Sequence, residues 1–229
     1  MQKIVGLETE DKKLYKKNTM RKDMRKYIQN LVTKGVYKPG DRIVETKLAK
    51  DLGVSQAPVR EAILELVMMG LLEERPYSGT FVKKQMPEDI EDIYTTRALI
   101  EECAARYAAV KINEEQLEEL SKELETMKKA AEAADIELFV EADVRFHGVV
   151  MNSAGSKSLK RIWYFLRMAD WTYTTTQLTK HSLFELCSMH EMIYKHLMSR
   201  NMLSAGAAMY LHIMEFAGEV VSGMQETEN

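Results

Sequence analysis

The stretch from Lys47 to Val82 constrains this chain most, because its punctuation is compatible with few folds. Gly53 interrupts a short run of helix formers, and a residue without a Cβ takes a left-handed turn at little cost. Val54 returns to the core. Ser55 suits the N-cap of the next helix, and Pro58 stands in that helix's first turn, where its missing N–H costs nothing. Val59, Ile63, Leu64, Leu66 and Val67 follow at helical spacing, and Gly70 stops the run. Leu71-Leu72 and Thr80-Phe81-Val82 read as two short strands about a turn at Tyr77-Ser78-Gly79. Helix, tight turn, helix and hairpin in this order predict a winged helix-turn-helix, an architecture whose second helix enters the major groove of duplex DNA.

Charge supports a nucleic-acid partner. Residues 1–86 carry 18 Lys and Arg against 11 Asp and Glu, whereas residues 87–229 carry 14 against 24. A basic half beside an acidic half suits a protein that sets one end on a polyanion. No apolar run approaches the roughly 18 residues of a membrane span, and the charged start does not read as a signal peptide. Cys103 and Cys187 lie far apart in helical sequence and form no disulfide framework, which points to a reducing cytoplasm.

Around the motif, residues 1–18 are polar and lysine-rich and read as a flexible or partly helical arm. Thr19 is placed to cap a helix over about 20–34, with Met24, Tyr27, Ile28, Leu31 and Val32 on one face and Gly35 at its end. The DNA-binding domain is therefore expected over 19–84. Lys83–Pro87 is a linker. From Pro87 onward the pattern is helical without a strand signal. Helices are expected near 87–110, 113–133, 135–154, 156–178, 181–200 and 201–223. Six or seven such helices over 87–223 predict an antiparallel bundle, so the fold class is mainly α: a winged helix-turn-helix followed by an all-helical domain.

The motif resembles the DNA-binding domain of GntR-type bacterial transcriptional regulators, without a gap over about fifty residues. The family's usual turn reads G-V-S-R-T-P-V-R-E-A; here it is Gly53-Val54-Ser55-Gln56-Ala57-Pro58-Val59-Arg60-Glu61-Ala62, with Gln56 for Arg and Ala57 for Thr. The resemblance implies operator DNA as partner and a contact set of Thr46, Ser55, Gln56, Ala57, Pro58, Arg60, Tyr77, Ser78 and Gly79. The chemistry is consistent. A helix N-terminus at Ser55 attracts phosphate. Gln56 matches the donor and acceptor of adenine, and Ala57 the methyl of thymine. Arg60 can reach phosphate or guanine, or else pair with a glutamate of its own chain. The wing tip would lie near the minor groove. Because Gln56 and Ala57 depart from the family pattern where bases are met, the operator of typical relatives does not carry over.

The bundle holds a second constellation. Asp143 and His147 stand at i and i+4 on one helix face, His190 on a later helix and His212 on the last. Three imidazoles and a carboxylate are a ligand set for Zn, Ni, Mn or Fe. Phe139-Val-Glu-Ala-Asp143-Val-Arg-Phe146-His147 resembles the F-x-x-x-D-x-x-F-H stretch of the FCD effector domain, found in the FadR branch of the same family. Ser188-Met-His190-Glu-Met-Ile193 and Ala208-Met-Tyr-Leu-His212-Ile resemble its later histidine stretches. That likeness implies a divalent metal, zinc first, held by Asp143, His147, His190 and His212, with a small carboxylate metabolite in its open positions. It also implies that Arg97 helps hold the carboxylate; an ion pair with Glu101 or Glu102 is the alternative. His181 and His196 read as ordinary residues, and the 16 methionines as core filler.

Together these features predict a cytoplasmic homodimeric regulator, a repressor by family habit, whose metabolite alters operator affinity. Two rivals stand beside it: a metal-dependent hydrolase, for which no general base is placed by a motif, and a DNA-binding protein with a metal-free structural bundle.

Overall fold

The computed structural model describes residues 9–33, 35–166, 176 and 179–227, which fall into two compact units, residues 1–84 and 85–229. Each has a core of its own.

The first unit runs α1 (Thr9–Thr33), β1 (Arg42–Ile43), α2 (Glu45–Asp51), α3 (Gln56–Met68), β2 (Leu72–Arg75) and β3 (Gly79–Val82). The three strands pair antiparallel in the order β1-β3-β2, with Leu72 opposite Val82 and Arg42 opposite Phe81. Leu72 and Val82 meet Ile43, Val59, Ile63 and Leu66 in the core, while Leu64 stays exposed on α3. Ile28 anchors α1 in that core, and Arg25 binds Glu65 of α3 at 3.0 Å. Gly53 has φ +65°, the left-handed turn expected between α2 and α3.

Two sequence expectations change here. The first helix does not start at Thr19: residues 9–18 belong to α1 as well, and Thr19 lies inside it. A lysine-rich face has no apolar periodicity to mark it as helix. Residues 1–8 of the expected arm lie outside the described residues. The third strand, β1, is two residues long and too short for an alternating pattern to announce it.

The second unit comprises α4 (Pro87–Lys111), α5 (Glu114–Ala133), α6 (Ile136–Ser153), α7 (Lys157–Leu166), α8 (Leu183–Met198) and α9 (Met202–Thr227). Its helix starts are written in side chains. The Asp89 carboxylate accepts the Met86 N–H at 3.0 Å, Asn113 accepts the Gln116 N–H at 2.9 Å, and Asp135 accepts the Leu138 N–H at 3.0 Å. Such caps satisfy amides that the helix itself leaves without partners. Of the segment expected over 156–178, α7 occupies the first half; residues 167–175, 177 and 178 lie outside the described residues.

Helix α4 packs along α9 and against α6, and α5 packs against α6 and α8. Small residues bring α4 and α9 together: Ala98, Ala105, Ala108 and Ala109 are buried, and a Cβ on Gly206 would lie 2.6 Å from Arg106 Cγ. Among the described residues no helix is long and apolar enough to cross a membrane. The buried polar side chains of the bundle, Arg97, Glu101, Asp143, His147, His190 and His212 among them, lie in its interior.

Ala134 ends α5 with φ +52° and its side chain in solvent. An L-residue is strained there and glycine is not, so Ala134→Gly should stabilise the second unit by about 0.5–1 kcal/mol. A higher urea midpoint checks this; a lower one refutes it.

Candidate metal centre and DNA-reading surface

The DNA-reading surface is built on the start of α3. Ser55 occupies the N-cap position with extended backbone, φ −71° and ψ 158°, but its side chain makes no capping bond. The hydroxyl is therefore not committed to the helix, contrary to its expected capping role. Ser55, Gln56, Ala57 and Arg60 are exposed, as is Thr46 on α2, whereas Pro58 and Val59 are buried. Pro58 thus differs from its expected role in DNA contact: it faces the core and shapes the first turn by packing. The Arg60 guanidinium is held in a two-pronged contact with Glu45 on α2, Nε to Oε2 at 3.0 Å and the second prong at 2.9 Å. The intramolecular pair that the sequence allowed is present, on a side chain 62% exposed.

At the wing, Arg75 pairs with Gly79 across the turn. Tyr77 holds φ +60° at the tip with its ring fully in solvent, a backbone state uncommon for a bulky residue. Ser78 donates its hydroxyl to the Pro76 carbonyl at 3.3 Å. Gly79 has φ +106°, and a Cβ there would meet Arg42 Nε at 3.1 Å. Arg42 is a cation beside the wing that sequence reasoning missed, because it rides on the strand that sequence reasoning missed. Arg75 stacks over Phe81 at 4.4 Å and bonds Glu73 at 2.7 Å.

In the second unit, α6 contributes Asp143 and His147, α8 contributes His190 and α9 contributes His212, all buried. One donor atom from each lies within 4.8 Å of the others. His190 Nε2 is 2.9 Å from Asp143 Oδ1 and 3.3 Å from His147 Nε2, and His147 Nε2 is 3.8 Å from Asp143 Oδ1. The far side of each of these two rings is anchored. His190 Nδ1 donates to the Leu186 carbonyl at 2.7 Å, and His147 Nδ1 makes a short contact with Glu101 Oε2. Glu101 in turn accepts Arg97 Nε–H at 2.7 Å. Imidazoles fixed through Nδ1 present a bare Nε2, which is how a protein prepares histidines for a metal.

Two atoms of the cluster lack a partner among the described residues: Asp143 Oδ2 and His212 Nδ1, both buried. An unsatisfied buried polar atom costs about 1–3 kcal/mol, so two at one point call for a missing electrophile. A cation meets that need with the donor types present. The adjoining cavity has a volume of about 10 Å³ and is walled by Arg97, Phe139, Asp143, His190, His212 and Phe216. That is room for one water or ion.

The charges around the cluster keep its two carboxyls ionised. Burial alone would raise the Glu101 carboxyl, but the charges and hydrogen bonds of His147 and Arg97 outweigh it and hold the pKa at about 2. Burial opposes ionisation of Asp143 too, and His147, His190 and Arg97 drive its pKa below the usual range. His212 is pushed well below an ordinary histidine by burial and then by His190 and His147. It is held neutral, the form that binds metal. Sequence reasoning named Glu101 only as a possible partner for Arg97. The i,i+4 spacing makes that pair visible; the contact with His147, 46 residues away, has no local signal.

A winged helix-turn-helix joined to a helical unit with a polar interior defines a DNA-binding transcriptional regulator. Residues 21–82 match the profile of the bacterial regulatory proteins of the gntR family, and residues 92–215 match the FCD domain. The chain belongs to the GntR family of regulators, with an FCD domain as its second unit. It is 35% identical over 147 residues to the probable D-xylose utilization operon transcriptional repressor of Paenarthrobacter nicotinovorans, spanning 64% of this chain and 65% of that protein. With the regulator LutR of Bacillus subtilis it shares 29% over 218 residues, 86% and 98% of the two chains. Escherichia coli McbR/YncC superposes with a TM-score of 0.71 at 21% identity, over 92% of this chain and 99% of that one, which supports the fold. The family models and the relatives are those of DNA-binding transcriptional regulators, and the hydrolase reading finds no support among them.

The His212 shift has a sign. A histidine whose folded pKa is depressed favours folding above its unfolded pKa of about 6.5, and that contribution is lost as pH falls. Metal-free protein should therefore have a lower urea midpoint at pH 5.5 than at pH 7.5, and His212→Leu should reduce the difference. An identical drop in the variant refutes the assignment.

Proposed function

We propose that this protein is a metabolite-responsive repressor, a homodimer in whose FCD domain Asp143, His147, His190 and His212 hold a divalent metal. Zinc is the first choice; Ni, Mn and Fe share the donor set. A small carboxylate metabolite binds beside the metal with the help of Arg97 and alters operator affinity. The observation that carries this reading is the convergence of four buried donors in which Asp143 Oδ2 and His212 Nδ1 are left unpartnered. Tetrahedral zinc with bonds of about 2.1 Å sets its ligand atoms about 3.4 Å apart. The observed 2.9, 3.3 and 3.8 Å straddle that spacing. With four protein ligands, a bound metal would accept a carboxylate oxygen only by expanding to a fifth position, as zinc can.

The surrounding side chains do the rest. Glu101 and the Leu186 carbonyl orient two imidazoles, and Arg97 supplies a positive, forked donor in the cavity wall. Even a small carboxylate exceeds a cavity of about 10 Å³, so its binding requires the cavity wall to shift. Helix α4, which carries Arg97 and Glu101, follows β3 of the DNA-binding unit after only residues 83–86. A ligand that favours one placement of α4 shifts the population of DNA-binding arrangements, provided that it binds them unequally.

On the DNA side, Thr46, Ser55, Gln56, Ala57 and Arg60 meet the major groove and Tyr77–Gly79 the minor groove. An exposed ion pair contributes about 0–1 kcal/mol, so phosphate or guanine can replace Glu45 as the partner of Arg60. Two half-sites require a two-fold dimer. Helices α4 and α7 pack together and expose Leu99, Tyr107, Val110, Ile162, Tyr164 and Phe165, apolar surface that a second copy would cover.

Arg60→Ala should weaken operator binding at least tenfold in a gel shift while leaving the dimer intact by size-exclusion chromatography; unchanged affinity refutes the role. His147→Ala and His190→Ala should lose bound metal by elemental analysis, and lose the response in a thermal-shift screen of carboxylates with and without chelator. DNA affinity without ligand should change less. Metal content equal to the parent in both variants, or a parent that neither contains metal nor binds added zinc or nickel, leaves the structural-bundle reading in its place.

A further inference from the structure

Glu101 is fully enclosed and serves two masters. One carboxylate oxygen accepts from Arg97, the residue assigned to the metabolite, and the other from His147, a residue assigned to the metal. We propose that Glu101 is a positioning residue that couples carboxylate binding at Arg97 to the grip of His147 on the metal. The inference rests on the metal and effector reading above and adds the link between its two halves.

Three observations support it. First, the two anchored histidines are held differently. His190 donates to the Leu186 carbonyl of its own helix, a partner that helix geometry keeps in place. His147 on α6 instead relies on a side chain of α4, so its support moves whenever α4 or the Glu101 rotamer moves. Of the two anchored histidines, His147 is the adjustable one. Second, Glu101 spends both oxygens, one on each partner. An arriving carboxylate competes for the Arg97 guanidinium, which prefers a two-pronged contact. Loss or weakening of Arg97–Glu101 leaves more negative charge facing His147 and strengthens its Nδ1–H···O bond, making Nε2 a better donor. Third, a carboxylate is required chemically. A glutamine has one acceptor oxygen, and its NH₂ would face a second donor. By linkage, a carboxylate that tightens metal binding is itself bound more tightly when metal is present, by the same factor.

The test uses cobalt(II) as a spectroscopic stand-in for zinc and acetate as the carboxylate, on the full chain and its Glu101→Gln and Arg97→Met variants. Glu101→Gln should weaken Co(II) and Zn(II) binding by about 10–100-fold and shift the visible Co(II) bands. In the parent, saturating acetate should raise Co(II) affinity; in either variant that dependence should vanish. Parent protein that binds Co(II), with a Glu101→Gln variant of equal affinity, unchanged bands and the same acetate dependence, overturns the coupling and leaves the metal site standing. A variant destabilised equally with and without metal, its spectrum unmoved, makes Glu101 merely structural and also overturns it. A parent that binds neither metal removes the underlying reading itself. Should the variant not fold, nitrogen-15 NMR of histidine-labelled parent decides: metal-free His147 protonated at Nδ1 supports the inference, and protonation at Nε2 refutes it.

Discussion

The second unit depends on a buried chain of charge, Arg97 to Glu101 to His147, closing on Asp143 and His190. Removing such groups from water costs several kcal/mol per ion, and only good geometry with further hydrogen bonds offsets it. The bundle meets that condition by drawing the members from three helices and giving Glu101 two partners. It stops short at Asp143 Oδ2 and His212 Nδ1. A core built for stability alone would fill this volume with apolar side chains, as it does nearby with Phe139, Phe146 and Ile193. Polar residues kept at such cost are the ground on which the metal site is proposed.

The packing of α4 follows from the same demand. Helix α4 carries both Arg97 and Glu101 on its buried face, so it must lie close to α6 and α9. Alanines on that face and Gly206 on α9 permit the approach. The opposite face of α4 leaves Leu99, Tyr107 and Val110 in solvent. One helix thus borders the polar centre and an apolar outer surface, and in the chain it follows β3 after residues 83–86.

The DNA-binding unit divides its labour residue by residue along α3. Pro58, Val59, Ala62, Ile63 and Leu66 face inward, and Ser55, Gln56, Ala57 and Arg60 outward. The helical period sorts them, so the motif was legible as soon as its phase was known. Phase also explains why Pro58, adjacent to exposed residues in sequence, belongs to the core. The Glu45–Arg60 pair joins α2 to α3 across the turn and holds the guanidinium outward on the same surface.

By itself the sequence determined what depends on local pattern. The spans of α4, α5, α6, α8 and α9, the glycine turn at Gly53, the breaks at Asn113 and Asp135 and the four donors Asp143, His147, His190 and His212 were readable, because period and neighbour chemistry decide them. The start of α1 and the strand β1 were not, since a lysine-rich helix and a two-residue strand carry no period. Tertiary structure alone decided that Glu101 would join Arg97 to His147, that Arg42 would stand beside the wing and that Ser55 would leave its hydroxyl uncommitted. Each of these is a matter of distance between segments far apart in the chain, or of a rotamer chosen in a folded environment, and no local pattern encodes either.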